Sequence, residues 1–159
     1  MEAHGGWNNA WTMEDATNYY DIGPQNSRGF RALKVWLAIQ QMGRKGYEAR
    51  IGEDIRLSKR LYGLVQAHPR LEALTQSLSI STFRYVPEGV DPGDNEYLNK
   101  LNAELVDRLQ SGGQAYVSNA IVEGKFALRA CIVNFRTTES DVRALVDLAV
   151  ALGTELAGA

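Results

Sequence analysis

Two alternating runs, Ala115–Val122 and Lys125–Asn134, flank the dipeptide Glu123-Gly124. An acidic residue followed by glycine between two apolar alternating runs is the chemistry of a two-residue turn that takes positive φ. The pattern predicts a β-hairpin, and a hairpin commits the chain to antiparallel pairing. Around it the periodicity is helical. Leu98, Leu101, Leu105 and Leu109 follow Asp94, a capping residue, and stop at Gly112-Gly113, which suit a helix C-terminus. Val142, Leu145, Val146, Ala149, Leu152 and Leu156 follow Thr138-Glu139-Ser140-Asp141, which reads as a capping box.

Upstream, Phe30, Leu33, Trp36, Leu37 and Ile39 predict a helix from about Ser27, interrupted within Gly43–Gly46. A second helix is expected from Tyr47 to Ala67, with Tyr47, Ile51, Ile55, Ser58, Tyr62 and Val65 along one stripe. It stops before His68-Pro69, because the residue preceding proline is pushed out of the α region. Leu78–Val86 alternates as one strand, and Pro87–Gly93 reads as a loop. The expected order is α-α-β-α-β-β-α. That makes a two-layer α+β fold, a small antiparallel or mixed sheet with helices on one face. Residues 1–27, rich in Gly and Asn and carrying Trp7, Trp11, Tyr19 and Tyr20, form an aromatic N-terminal arm. Residues 28–159 form a single α+β domain.

The 159 residues carry a net charge of −2, which gives no basic field and argues against nucleic acid or an anionic membrane surface as partner. No run reaches the ~18–20 apolar residues of a membrane span. The N-terminus lacks the basic and apolar regions of a secretory signal, so a cytoplasmic location is expected. Cys131, the sole cysteine, lies in an apolar strand and reads as a small core residue.

Catalytic constellations are scarce. His4 and His68 have no second ligand at metal-binding spacing, and no metal site is expected. Glu14-Asp15 and Glu53-Asp54 are paired carboxylates. The second pair sits beside Arg50, Arg56 and Lys59, which suits a solvated charged helix face. Basic and aromatic residues alternate at Arg28, Phe30, Arg31, Lys34 and Trp36. These five read either as a helix that lays its long side chains over a neighbour or as a contact with an anionic ligand or another domain. The family resemblance that follows makes them the expected surface toward a large domain.

That same stretch, Gly23-Pro24-Gln25-Asn26-Ser27-Arg28-Gly29-Phe30-Arg31-Ala32-Leu33-Lys34-Val35-Trp36, resembles the segment opening the C-terminal small domain of the pyridoxal-phosphate (PLP)-dependent group II decarboxylases, the aromatic-L-amino-acid and tyrosine type included. The similarity continues through Ser81-Thr82-Phe83-Arg84-Tyr85-Val86-Pro87 and Leu128-Arg129-Ala130-Cys131-Ile132-Val133-Asn134-Phe135-Arg136-Thr137-Thr138. The resemblance implies the C-terminal domain of a fold-type I PLP enzyme. In that family PLP forms an imine with a lysine that follows a histidine in the large domain, and a loop of that part supplies a catalytic tyrosine. The resemblance places both upstream of residue 1, so Tyr19 and Tyr20 inherit no role. The lysines here are Lys34, Lys45, Lys59, Lys100 and Lys125, and none follows a histidine. The expectation is therefore a decarboxylase domain with no catalytic residue and no cofactor of its own, inactive alone. Its partner is the large PLP-binding domain, with a second copy as a further one because the family forms homodimers. The alternative is a stand-alone small-molecule-binding or regulatory α+β module.

Overall fold

The computed structural model describes residues 10–12, 17–19 and 30–158. The chain divides into two compact units, residues 1–41 and 42–159. In the first, β1 (Ala10–Thr12) and β2 (Thr17–Tyr19) pair antiparallel, with Trp11 opposite Asn18. The expected helix start at Ser27 lies outside the described residues.

Helix α1 (Arg31–Ala67) loses helical geometry at Gly43, where φ is 63° and ψ 177°. This is the expected interruption, at a left-handed φ that glycine takes without a Cβ penalty. The helix resumes directly after Gly43 rather than at Tyr47. Its buried stripe is Asp54, Leu57, Ser58, Leu61 and Val65. The expected stripe is therefore turned: Ser58 and Val65 belong to it, but Ile51 is exposed. Two leucines, each worth about 1.5–3 kcal/mol on full burial, decide which side faces inward.

After Pro69 the chain makes a hairpin, β3 (Leu71–Ser77) and β4 (Ile80–Tyr85), turning on Leu78-Ser79. The single strand expected over 78–86 is thus shorter, and Leu78 is a turn residue with φ 50°. β3 escapes a period-two reading because its register shifts between Ala73 and Thr75. In β4 every residue from Ser81 to Tyr85 is buried, so its two faces do not differ in polarity as a half-exposed strand's would.

Helix α2 (Asn95–Gly112) is capped by Asp94, whose side chain accepts the Tyr97 N–H at 3.1 Å. It buries Leu98, Leu101, Leu105 and Leu109, and Gly113 closes it in the left-handed conformation. The expected second hairpin is β5 (Ser118–Val122) and β6 (Lys125–Cys131). Glu123 and Gly124 both have positive φ between the paired Val122 and Lys125. Cys131 is exposed at the end of β6, which corrects its reading as a core residue. The alternation carries on to Asn134, but the ladder stops with Cys131 opposite Ile80. Helix α3 (Glu139–Ala157) opens with the expected capping box between Thr138 and Asp141.

The four strands form one antiparallel sheet in the order β3-β4-β6-β5. By register, Leu71, Phe83, Tyr85, Leu128 and Ala130 share one face. All five join a single core with Leu57, Leu61 and Val65 of α1, Leu105 and Leu109 of α2, and Val142 and Val146 of α3. The helices therefore cover one face, as expected. At Gly153 a Cβ would stand 2.6 Å from the Tyr85 ring, so the ring lies directly on the backbone of α3.

The opposite face carries the ion pairs of Glu72 with Arg84 and Lys125, both at 2.6 Å. Arg84 is fully buried. It also donates to Asn95 Oδ1 at 2.9 Å and to the Pro92 carbonyl at 2.7 Å.

β4 and β6 part beyond Phe83 and Leu128. Continuing the register would set Tyr85 against Phe126, and α2 fills that place with side chains. Asn102 accepts the Tyr85 N–H at 2.7 Å and donates to the Tyr85 carbonyl at 2.9 Å. Asn99 accepts the Phe126 N–H at 2.6 Å and donates to the Gly124 carbonyl at 3.0 Å. Asn95, Asn99 and Asn102 thus form one helical stripe at i, i+4 and i+7, each member bonded to the sheet.

Candidate functional site

Among the described residues, the first unit's helical segment carries the most concentrated exposed apolar surface. Phe30 is 71% exposed and Trp36 56%, with Leu33, Val35, Leu37 and Ile39 also exposed. On a helical projection Leu33, Trp36 and Leu37 make one stripe, while Val35 and Ile39 lie on the other side. A segment apolar on two sides has the composition of a buried helix. Of the expected surface, Phe30, Lys34 and Trp36 are exposed. Arg28 lies outside the described residues, and so does the side chain of Arg31. His4, Glu14 and Asp15 lie outside them as well.

In the second unit the charged residues are largely spent on structure. Arg56 pairs with Glu53, and Arg50 with Asp54, as helical neighbours. Asp54 is buried rather than solvated, because the Arg50 guanidinium lies over it. Glu139 gathers Arg60 at 2.9 Å and Arg143 at 3.1 Å, joining α1 to the start of α3. The hydrogen bonds from Arg143 and Arg60 hold the Glu139 carboxyl below its ordinary range. For Glu72, burial pushes the carboxyl up, but the hydrogen bonds and charges of Lys125 and Arg84 outweigh it and the net direction is down. Hydrogen bonds from the Thr138 hydroxyl and amide lower Asp141 in the same way.

An open groove of about 480 Å³ lies beside the end of α1 and α3, and its polar lining includes His68, Arg70, Asp147, Thr154 and Glu155. The Thr154 hydroxyl is committed there, donating to the Val150 carbonyl and accepting from Arg70. His68 Nδ1 accepts the Arg70 N–H at 3.2 Å. No lysine and no thiol reaches this groove. Among the described residues there is no group of three His, Cys, Asp or Glu side chains placed to hold a metal ion. No helix among them is long and apolar enough to cross a membrane.

A second exposed set lies in the loop after β6. Val133 is 72% exposed and Phe135 71%, and the Arg136 guanidinium sits 5.3 Å from the centre of the Phe135 ring. Reading Lys125–Asn134 as one strand hid this loop. Its signal is the apolar-aromatic-basic run Val133, Phe135, Arg136 beyond the last paired residue.

Residues 11–86, just under half of the chain, match the family model described as the pyridoxal-dependent decarboxylase conserved domain. The aromatic-L-amino-acid decarboxylase of Bacillus atrophaeus is 30% identical over 145 residues, covering 91% of this chain and 30% of that protein. Tyrosine decarboxylase 2 of Arabidopsis thaliana is 32% identical over 130 residues, covering 81% of this chain and 23% of its own length. The crystal structure of Oryza sativa TDC with PLP and tryptamine superposes with a TM-score of 0.72 at 29% identity, over 81% of this chain and 28% of that one. The chain is therefore similar to PLP-dependent amino-acid decarboxylases, and its sheet and three helices have the fold of a part of them. It spans less than a third of the length of these relatives, in which this region is part of a larger enzyme chain.

PLP chemistry needs an imine-forming lysine in a pocket, a phosphate cradle and a carboxylate for the pyridine nitrogen. Lys34, Lys45 and Lys59 are exposed on α1. Lys100 is paired with Glu96, and Lys125 with Glu72. None of the five lines the groove, so the groove does not fit the cofactor.

Proposed function

We propose that this chain is the C-terminal small domain of a PLP-dependent amino-acid decarboxylase of the aromatic type, acting only together with the larger PLP-binding portion. The observation that carries the reading is the segment that opens with exposed Phe30 and whose helix exposes Leu33 and Trp36 on one side and Val35 and Ile39 on the other. Such a segment wants cover on two sides. The relatives' extra length, more than two thirds of their chains, supports that portion as the cover. Phe30, Lys34 and Trp36 are the contact residues, and the domain contributes surface rather than a catalytic group.

The test pairs two measurements. First, the purified chain is mixed with PLP and reduced with borohydride, and no single lysine is labelled. Second, the chain is co-expressed with the PLP-binding portion of the Bacillus atrophaeus enzyme, the part this chain does not match. The pair then co-purifies with bound cofactor and releases carbon dioxide from an aromatic amino acid. Stoichiometric labelling at one lysine of the free chain, or failure of the two polypeptides to associate, overturns the reading.

A further inference from the structure

We infer that the loop 132–137 is a preorganised docking knob that seats Val133 and Phe135 in an apolar pocket of the PLP-binding portion, with a carboxylate at the rim facing Arg136. This rests on the domain reading above and adds a second contact surface, on the unit comprising residues 42–159.

An apolar loop tip with no partner is expected to be loosely held. This one is tethered at every step. Ile132 is buried at its root and donates its N–H to the Ser79 carbonyl at 2.9 Å. Arg50 donates to the Asn134 carbonyl at 2.6 Å and to the Phe135 carbonyl at 3.1 Å, while its guanidinium pairs with buried Asp54. Asn134 Oδ1 accepts the Arg136 N–H at 3.0 Å, and the Asn134 carbonyl accepts the Thr137 N–H at 3.0 Å. A partly buried ion pair and five hydrogen bonds thus fix a backbone whose side chains Val133 and Phe135 are exposed. Fixing a contact loop beforehand removes ordering entropy from association.

The anchors carry further apolar surface. Ile51, 54% exposed, follows Arg50, and Leu78, 70% exposed, precedes Ser79. Leu78 holds φ 50°, where a bulky L-residue is disfavoured and glycine or asparagine is usual. A strained, exposed leucine serves a contact better than it serves the turn. An aromatic anchor with an arginine beside it has the composition of an interface centre. The length of the relatives supports the PLP-binding portion as its cover. The region this chain matches is only 30% of the Bacillus atrophaeus enzyme, so most of that polypeptide remains to be accommodated.

The test is the same co-expression, with V133S/F135S, and with Arg50→Gln to loosen the loop while leaving both apolar side chains in place. The double variant lowers recovery of the complex at least about tenfold, equivalent to about 1.4 kcal/mol. Its thermal midpoint as a free chain stays at the wild-type value. Arg50→Gln gives a smaller loss, with faster deuterium uptake at 133–136. Undiminished recovery of the double variant, alongside a complex formed by the wild type, overturns this inference and leaves the domain reading standing. A lowered thermal midpoint of the free double variant assigns these side chains to the fold and overturns it as well. So does sedimentation showing a wild-type dimer that the double variant abolishes, because the occupant is then a second copy. If the wild-type chain recovers no partner, both readings fail together.

Discussion

The segment 31–42 and helix α3 are both rich in large apolar residues, yet they use them oppositely. In α3, Val142, Val146, Ala149 and Val150 are buried, and the Tyr85 ring rests on Gly153. In the segment, Leu33, Val35, Trp36, Leu37 and Ile39 are all exposed, on two sides of the helix. The difference teaches what each is for. α3 has one apolar stripe because one sheet face covers it. The segment has two, and on the domain reading proposed above both face the PLP-binding portion.

The largest expected effect tests the closed side of this comparison. Leu105→Ala removes a side chain buried completely in the shared core and costs about 3–5 kcal/mol in urea unfolding. A loss under about 1 kcal/mol would mean the second unit is not knit as described. Next comes Asn102→Ala, which strips partners from the N–H and carbonyl of Tyr85. With each buried unsatisfied group costing about 1–3 kcal/mol, the expected loss for the two is about 2–6 kcal/mol, and the Tyr85 amide loses its exchange protection.

A third, smaller effect is pH dependence. Glu72 titrates lower when folded than when unfolded, so its contribution is fully present above the unfolded carboxylate value of about 4.3. It disappears as pH falls through the folded value. Glu72→Gln is expected to flatten part of the acid limb in a stability profile from pH 7 to 3. Glu53, Glu139 and Asp141 shift in the same direction and share the remaining slope. An unchanged limb would remove Glu72 from the account. The smallest effect sharpens the open side. Trp36→Ser is expected to change free-chain stability by less than about 0.5 kcal/mol. A clear loss of midpoint would show that Trp36 is already covered in the free chain.

Much of this architecture is written in short local codes. Asp94, Gly113, Glu123-Gly124 and the Thr138–Asp141 box each satisfy a backbone need within a few residues, so each is legible without tertiary knowledge. β3 is not, because the shift between Ala73 and Thr75 breaks its alternation. Nor is the asparagine stripe of α2, because polar residues on a helix look solvent-facing until the parted strands are known. Asp54 and Cys131 fail in opposite directions: a neighbouring arginine lets the carboxylate be buried, and a strand end leaves the thiol exposed. For the candidate surfaces, residue type is readable at Phe30, Trp36 and Phe135. What those side chains meet belongs to the proposed contact and has no local code.

The place where Asn99 and Asn102 stand in for a missing ladder has a mechanical corollary. The seam between the two central strands is sewn shut by a helix, so its protection lasts only as long as that helix stays docked. Peeling α2 away would bare two facing backbones at once, each with unpaired strand groups. Deuterium entry at Tyr85 and Phe126 would then keep time with the helix's departure and not with fraying of either hairpin.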